Sequence, residues 1–151
     1  MNFSRFLKYW LPVLVWIAVI FIGSSDLMSA EHTSRFLGPF LRWLKPDISA
    51  DAIAKVQLFV RKAAHLSEYA ILAILLWRAL RRGTDLPAKM SLLFTAVWLV
   101  CGIFAIGDEF HQSFVTSRTA SPHDVLIDIC GATIGLVMYL MLTARKNLKP
   151  V

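Results

Sequence analysis

The sequence predicts an all-α, polytopic membrane protein: four transmembrane helices, with an amphipathic segment between the first and the second. Three observations carry this. The 151 residues are 57% hydrophobic, with a mean hydropathy of +0.60; a soluble domain of this size buries only part of its surface and needs no such excess. Four apolar runs, at about 7–23, 63–80, 90–106 and 125–143, approach the ~20 residues that cross hydrocarbon. Lys and Arg gather where those runs end, as anionic lipid and the positive-inside bias require. The length suits a single domain, 1–151.

The first run opens with Arg5 and Lys8 and continues YWLPVLVWIAVIFIG to Gly23. A cleaved signal peptide has a similar grammar, with small residues at Met28-Ser29-Ala30. The apolar stretch is nevertheless long enough to span, and Met28 is a poor residue three places before a cleavage point. A retained helix is expected, with Pro12 tolerated in its first turn. Between Glu31 and Val60, Phe36, Leu37, Phe40, Leu41 and Leu44 recur at helical spacing among Arg35, Arg42 and Lys45. That pattern reads as an amphipathic helix lying in the interface, interrupted at Gly38-Pro39. Pro46-Asp47 marks a turn, and Ser49 is the expected N-cap of the next helix.

From Ala50 to Arg82 there is neither Gly nor Pro. The first part is amphipathic through Ile53, Val56, Phe59 and Val60, and the second is nearly all apolar. One long helix and a helix bent near Arg61-Lys62 both satisfy this pattern. Arg81-Arg82-Gly83 ends the second span, Asp85-Leu86-Pro87 turns the chain, and Arg145, Lys146 and Lys149 come after the fourth. Nine of the sixteen Lys and Arg fall on one side of these four spans, in its short segments. Both termini are therefore expected in the cytoplasm. The net charge of +6 belongs to helix ends; there is no basic stripe, recognition helix or aromatic platform for nucleic acid. Cys101 and Cys130 lie inside apolar runs, where cysteine behaves as a small hydrophobe, and no disulfide is expected. No CxxC or zinc-finger spacing occurs, so neither a cofactor nor a metal is assigned.

Between the third and fourth runs stands GDEFHQSFVTSRTASPHDVLID, residues 107–128. Ionisable groups at the edge of hydrocarbon are expensive and usually functional. Four spans bring this stretch to the same membrane face as the start of the second run, the outer one if both termini are cytoplasmic. Lys62, His65 and Tyr69 are spaced i, i+3, i+7 and share one helical stripe, with Glu68 beside it. Asp124, Asp128, Gly131 and Gly135 share one face of the fourth helix, and the two glycines, four apart, read as a packing seam. Asp128, about one turn into hydrocarbon, requires a partner, and Lys62, His65 and Arg118 are the candidates. His123 beside Pro122 and His32 read as loop residues.

KAAHLSEYAIL at 62–72, the 107–128 stretch and the GATIG after it resemble the VanZ-like family of small bacterial membrane proteins. Lys62, His65, Glu68, Tyr69, Asp108, Glu109, Gln112, Arg118, Ser121, Asp124 and Gly131 match its pattern, as does the Ser24-Ser25 pair. One departure is Val115-Thr116-Ser117, where relatives often carry a Pro-Gly turn. The resemblance implies a place in the bacterial plasma membrane and a role in the cell envelope. Its named member is linked to lowered susceptibility to teicoplanin-type glycopeptides, and no settled reaction comes with the family. Three uses of the constellation stay open. Lys62 and Arg118, oriented by Asp108, Glu109, Asp124 and Asp128, suit the headgroup of an anionic membrane lipid or lipid-linked cell-wall precursor. His65, Glu68, Asp108 and Glu109 are candidates for acid–base catalysis, and His65, Glu68, Asp108 and His111 for a divalent metal. The third use is a structural clamp that locks three spans together.

Overall fold

The computed structural model describes residues 2–25, 30–85, 88–115 and 121–147, and within them all side chains except those of 30–33, 146 and 147. The described chain is helical: α1 (Phe3–Tyr9), α2 (Leu11–Gly23), α3 (Ala30–Leu44), α4 (Ala50–Gly83), α5 (Met90–Gln112) and α6 (Pro122–Asn147). Four stretches are long and apolar enough to cross a membrane: Phe3–Gly23, α4, α5 and Pro122–Arg145. The chain is a multi-pass membrane protein built as the apolar runs predict.

α1 and α2 form one span with a turn at Trp10, whose N–H still reaches Phe6 O at 2.8 Å. Pro12 sits at the start of α2, where the missing N–H costs least. The far end of α4 meets this segment closely: a Cβ on Gly83 would lie 2.9 Å from Trp10 Nε1 and 3.1 Å from Tyr9 Cβ. Arg5 secures the same corner, donating to Asp85 Oδ1 at 2.6 Å and to Arg82 O at 3.2 Å. That hydrogen bond, with the guanidinium charge behind it, holds the Asp85 carboxyl below the usual range.

In the connecting segments one expectation changes and one open alternative is decided. α3 runs unbroken through Pro39, so Gly38-Pro39 does not interrupt it, although the proline removes one backbone bond and crowds the carbonyl of the turn before it. Leu37 and Leu41 of α3 are half-buried, while Phe36, Phe40 and Trp43 stay exposed, as a helix lying at an interface presents them. α4 is one continuous helix of 34 residues, about 51 Å at 1.5 Å per residue. That exceeds the ~30 Å of hydrocarbon, so its first turns project beyond the membrane. Ser49 Oγ caps them by accepting from Ala52 N at 3.2 Å, and Asp51 pairs with Lys55 at 2.8 Å.

The relative directions of the spans are set by their partners. Lys62 and His65 of α4 bond to Asp124 and Asp128 of α6. Gly131 and Gly135 then lie against Leu66 and Ala70. Both series descend together, so α4 and α6 run parallel, with α5 antiparallel to both. A Cβ on Gly131 would collide with the carbonyl oxygen of Leu66, and one on Gly135 with that of Ala70. The glycine seam predicted on α6 is therefore the contact that lets two backbones touch. Below it Leu72, Ala73 and Trp77 pack against Val97, Cys101 and Leu136. Phe21, Ile103, Leu126 and Met141 stay exposed, as lipid-facing side chains do. Cys101 is buried, Cys130 is exposed, and both are free thiols.

Candidate functional site

The polar groups converge at one end of the α4–α5–α6 bundle. α5 does not stop at the polar stretch, as the apolar run ending near 106 suggests, but continues to Gln112. Helical backbone bonds persist through Gly107 because nothing there competes for them. As a result Asp108, Glu109 and Gln112 stand at i, i+1 and i+4 on the last turns of a helix, all three buried. α6 begins at Pro122, so Asp124 lies in its first turn, where a carboxylate also favours the helix N-terminus.

Asp124 is the anchor of the upper layer. Its side chain is 1% exposed and accepts from Lys62 Nζ and from Arg61 at 3.5 Å. Arg61 also donates to Gln112 Oε1 at 3.1 Å. The amide of Gln112 turns its nitrogen to Asp108 Oδ2 at 3.0 Å and to Ser24 Oγ at 3.4 Å, which brings the end of the first span into the network. Glu109 Oε1 accepts from the backbone N–H of Ser121, fastening the start of α6 to α5. Ser121 Oγ lies 3.5 Å from His123 Nδ1 at the exposed margin.

One helical turn deeper, His65 Nδ1 and Asp128 Oδ1 are 3.1 Å apart, both nearly without exposure. Of the three partners expected for Asp128, the imidazole is the one found; Lys62 serves Asp124 instead. Tyr69, a turn further along the same stripe, is wholly buried. Its hydroxyl has no hydrogen-bond partner among the described residues. Asp128 Oδ2 and Glu109 Oε2 are likewise buried without one.

Of the residues read from sequence as a site, Lys62, His65, Tyr69, Asp108, Glu109, Gln112, Ser121, Asp124 and Asp128 come together here. Arg118 lies outside the described residues. Glu68 lies on the side of the first span: its Oε1 is 3.4 Å from where a Cβ on Gly23 would be, next to Ser24 of the network, and its carbonyl accepts from Trp16 Nε1 at 2.9 Å. His111 stacks on Phe21 with ring centroids 4.4 Å apart. The set His65, Glu68, Asp108 and His111 is therefore not a common ligand sphere; His65, Asp108 and Asp128 offer ligand atoms within 4.8 Å of one another instead.

Residues 9–143 match the sequence family described as VanZ/LLP1. The chain belongs to that family. A VanZ/LLP1 match over this range takes in the second and third spans whole, most of the first and fourth, and every residue of the polar network. An uncharacterized protein of Schizosaccharomyces pombe is similar over 49 residues, at 37% identity, covering 32% of this chain and 30% of that protein. The shared segment thus spans under a third of the yeast protein's length. No solved structure matches the chain.

Two participants in the VanZ/LLP1 network are not singled out by spacing. Arg61 stands four before His65 and eight before Tyr69, the same stripe, so a signal is present beside Lys62. For Ser24 the one signal is the resemblance of the Ser24-Ser25 pair to the family pattern. A separate cavity of about 340 Å³ lies at the opposite end, lined by Arg78, Arg81, Arg82, Trp77 and Tyr139. It shares no residue with the polar network.

Proposed function

We propose that this VanZ-like protein holds the phosphate-bearing headgroup of an anionic membrane lipid at the rim of its polar network. The observation that carries the reading is Lys62: its ammonium is held by Asp124, and its side chain remains 30% exposed. With three protons and one carboxylate partner among the described residues, it keeps donors for a ligand. Arg61, 20% exposed beside it, adds a planar guanidinium suited to phosphate. Asp124 fixes both cations in place, which lowers the entropy a ligand must overcome. On the distribution of Lys and Arg along the chain, this end faces out of a bacterial plasma membrane and both termini lie in the cytoplasm.

The VanZ name ties the family to glycopeptides of the teicoplanin type, whose target lies outside the membrane. A protein that retains an envelope lipid, or a lipid-linked cell-wall precursor, at that face sits where such susceptibility is decided. A second reading is supported by the buried His65–Asp128 pair. A carboxylate that orients an imidazole is the usual preparation of a general base, so the bound lipid would be a substrate.

Native mass spectrometry of the detergent-purified protein tests both, with phosphatidylglycerol and phosphatidylcholine offered in equal amounts. Wild type should retain phosphatidylglycerol preferentially. Arg61→Lys, which keeps the charge and loses the fork, should weaken retention about tenfold, the equivalent of one charge-assisted hydrogen bond. Equal retention of the two lipids, or no change in Arg61→Lys, would end the headgroup reading. A lipid product of altered mass that is absent with His65→Gln would convert the assignment to an enzyme.

A further inference from the structure

We infer that His65, Asp108 and Asp128 form a binding site for a divalent transition-metal ion inside the α4–α5–α6 bundle. Each span contributes one ligand, and all three side chains are buried. Their ligand atoms lie within 4.8 Å of one another. Nitrogen and oxygen ligands about 2.1 Å from a shared ion stand about 3–4 Å apart. Small side-chain rotations therefore convert the present arrangement into a coordination sphere without moving a helix.

Charge in this layer points the same way. Asp108, Glu109, Asp124 and Asp128 are all buried. The two cations that reach the network, Arg61 and Lys62, both close on Asp124. Glu109 is served by a backbone N–H and Asp108 by a neutral amide. Asp108 and Asp128 are thus left with His65 as the only nearby side chain among the described residues able to offset them. Two carboxylates so placed need added positive charge or protons, since burial of an uncompensated carboxylate is costly.

An independent observation points to a ligand. The Tyr69 side chain is fully buried one turn beyond His65 on the same face of α4, and its hydroxyl has no hydrogen-bond partner among the described residues. Asp128 Oδ2 is also buried without a partner. Two oxygen atoms, one phenolic and one of a carboxylate, are thus buried with no bond made. The carboxylate oxygen can ligate an ion directly, and the hydroxyl can bond to a water that the ion carries. One imidazole with two carboxylates is a borderline donor set, favouring Zn²⁺ or Mn²⁺ over Mg²⁺ or Ca²⁺, which take oxygen alone.

The site stands apart from the headgroup reading, because metal uptake is read in detergent with no anionic lipid added. Chelator-stripped, full-length protein is titrated with Mn²⁺ and followed by electron paramagnetic resonance, then by competition with Zn²⁺. Wild type should take up about one equivalent and show coupling to an imidazole nitrogen. His65→Gln should lose that coupling, and Asp108→Asn should weaken uptake at least tenfold. Gly102→Ala, where an added Cβ meets nothing within 4 Å, should keep both the ion and the coupling, and a cooperative unfolding transition retained by Asp108→Asn separates loss of a ligand from loss of fold. Absence of uptake by wild type, or uptake without nitrogen coupling, overturns the site, as does an unchanged affinity in Asp108→Asn.

Discussion

Gly131→Ala should unfold at a markedly lower temperature than wild type in detergent, although it adds a single methyl group. The methyl would meet the Leu66 carbonyl oxygen, with the carbonyl carbon 2.9 Å away and the Cα 3.0 Å away. These atoms are backbone and cannot rotate aside. Relief requires α4 and α6 to separate, and each increment of separation also lengthens the Lys62–Asp124 and His65–Asp128 contacts. Overpacking typically costs about 1–3 kcal/mol, and the loss of polar contacts should put Gly131→Ala at the upper end of that range. Gly102→Ala is the control, since a Cβ there meets nothing within 4 Å; it should be neutral or stabilising by up to ~1 kcal/mol. Equal unfolding midpoints for the two variants would show that the seam is not tight.

Asp124→Ala is expected to be as damaging by a different route. It leaves Lys62 and Arg61 without the carboxylate that both use. Breaking a buried pair from one side costs about 3–5 kcal/mol. The cations keep 30% and 20% exposure, so water compensates in part and about 2–3 kcal/mol is the better expectation. The double variant Asp124→Ala with Lys62→Ala should recover part of the loss, because it removes a stranded charge. Chemical unfolding of the four proteins of that cycle gives the coupling directly. A single variant as stable as wild type, or a double variant no better than the single, would contradict the arrangement.

The spans are legible in the sequence because hydrocarbon imposes a length and forbids charge, so their residues differ sharply from their surroundings. The same contrast makes His65, Asp108, Asp124 and Asp128 visible, since each is out of place beside apolar neighbours. What hydropathy does not supply is pairing. Lys62 is one turn from His65 and could as well have met Asp128; the parallel register of α4 and α6, set by Gly131 and Gly135, directs it to Asp124. Helix ends are hard to read for a related reason. Asp108, Glu109 and Gln112 look like loop in composition, yet a helix leaving hydrocarbon keeps its backbone bonds as long as nothing displaces them. Pro39 within α3 makes the same point: one absent donor weakens a helix without ending it.

The pairing of α6 with α4 bears on how the protein is made. A span carrying Asp124 and Asp128 enters lipid at a penalty, about 2.5–3.5 kcal/mol for an aspartate at mid-membrane and less towards the edge. The groups that offset it, Arg61, Lys62 and His65, lie two helices earlier in the chain and are synthesised first. The last span therefore inherits its place from the second. Exchanging α4 for a plain apolar span of equal length should leave some chains with their C-terminus on the wrong side, a defect that topology reporters at that terminus would count. The polar network is in this sense a record of assembly order, written in charge along two helices that run the same way.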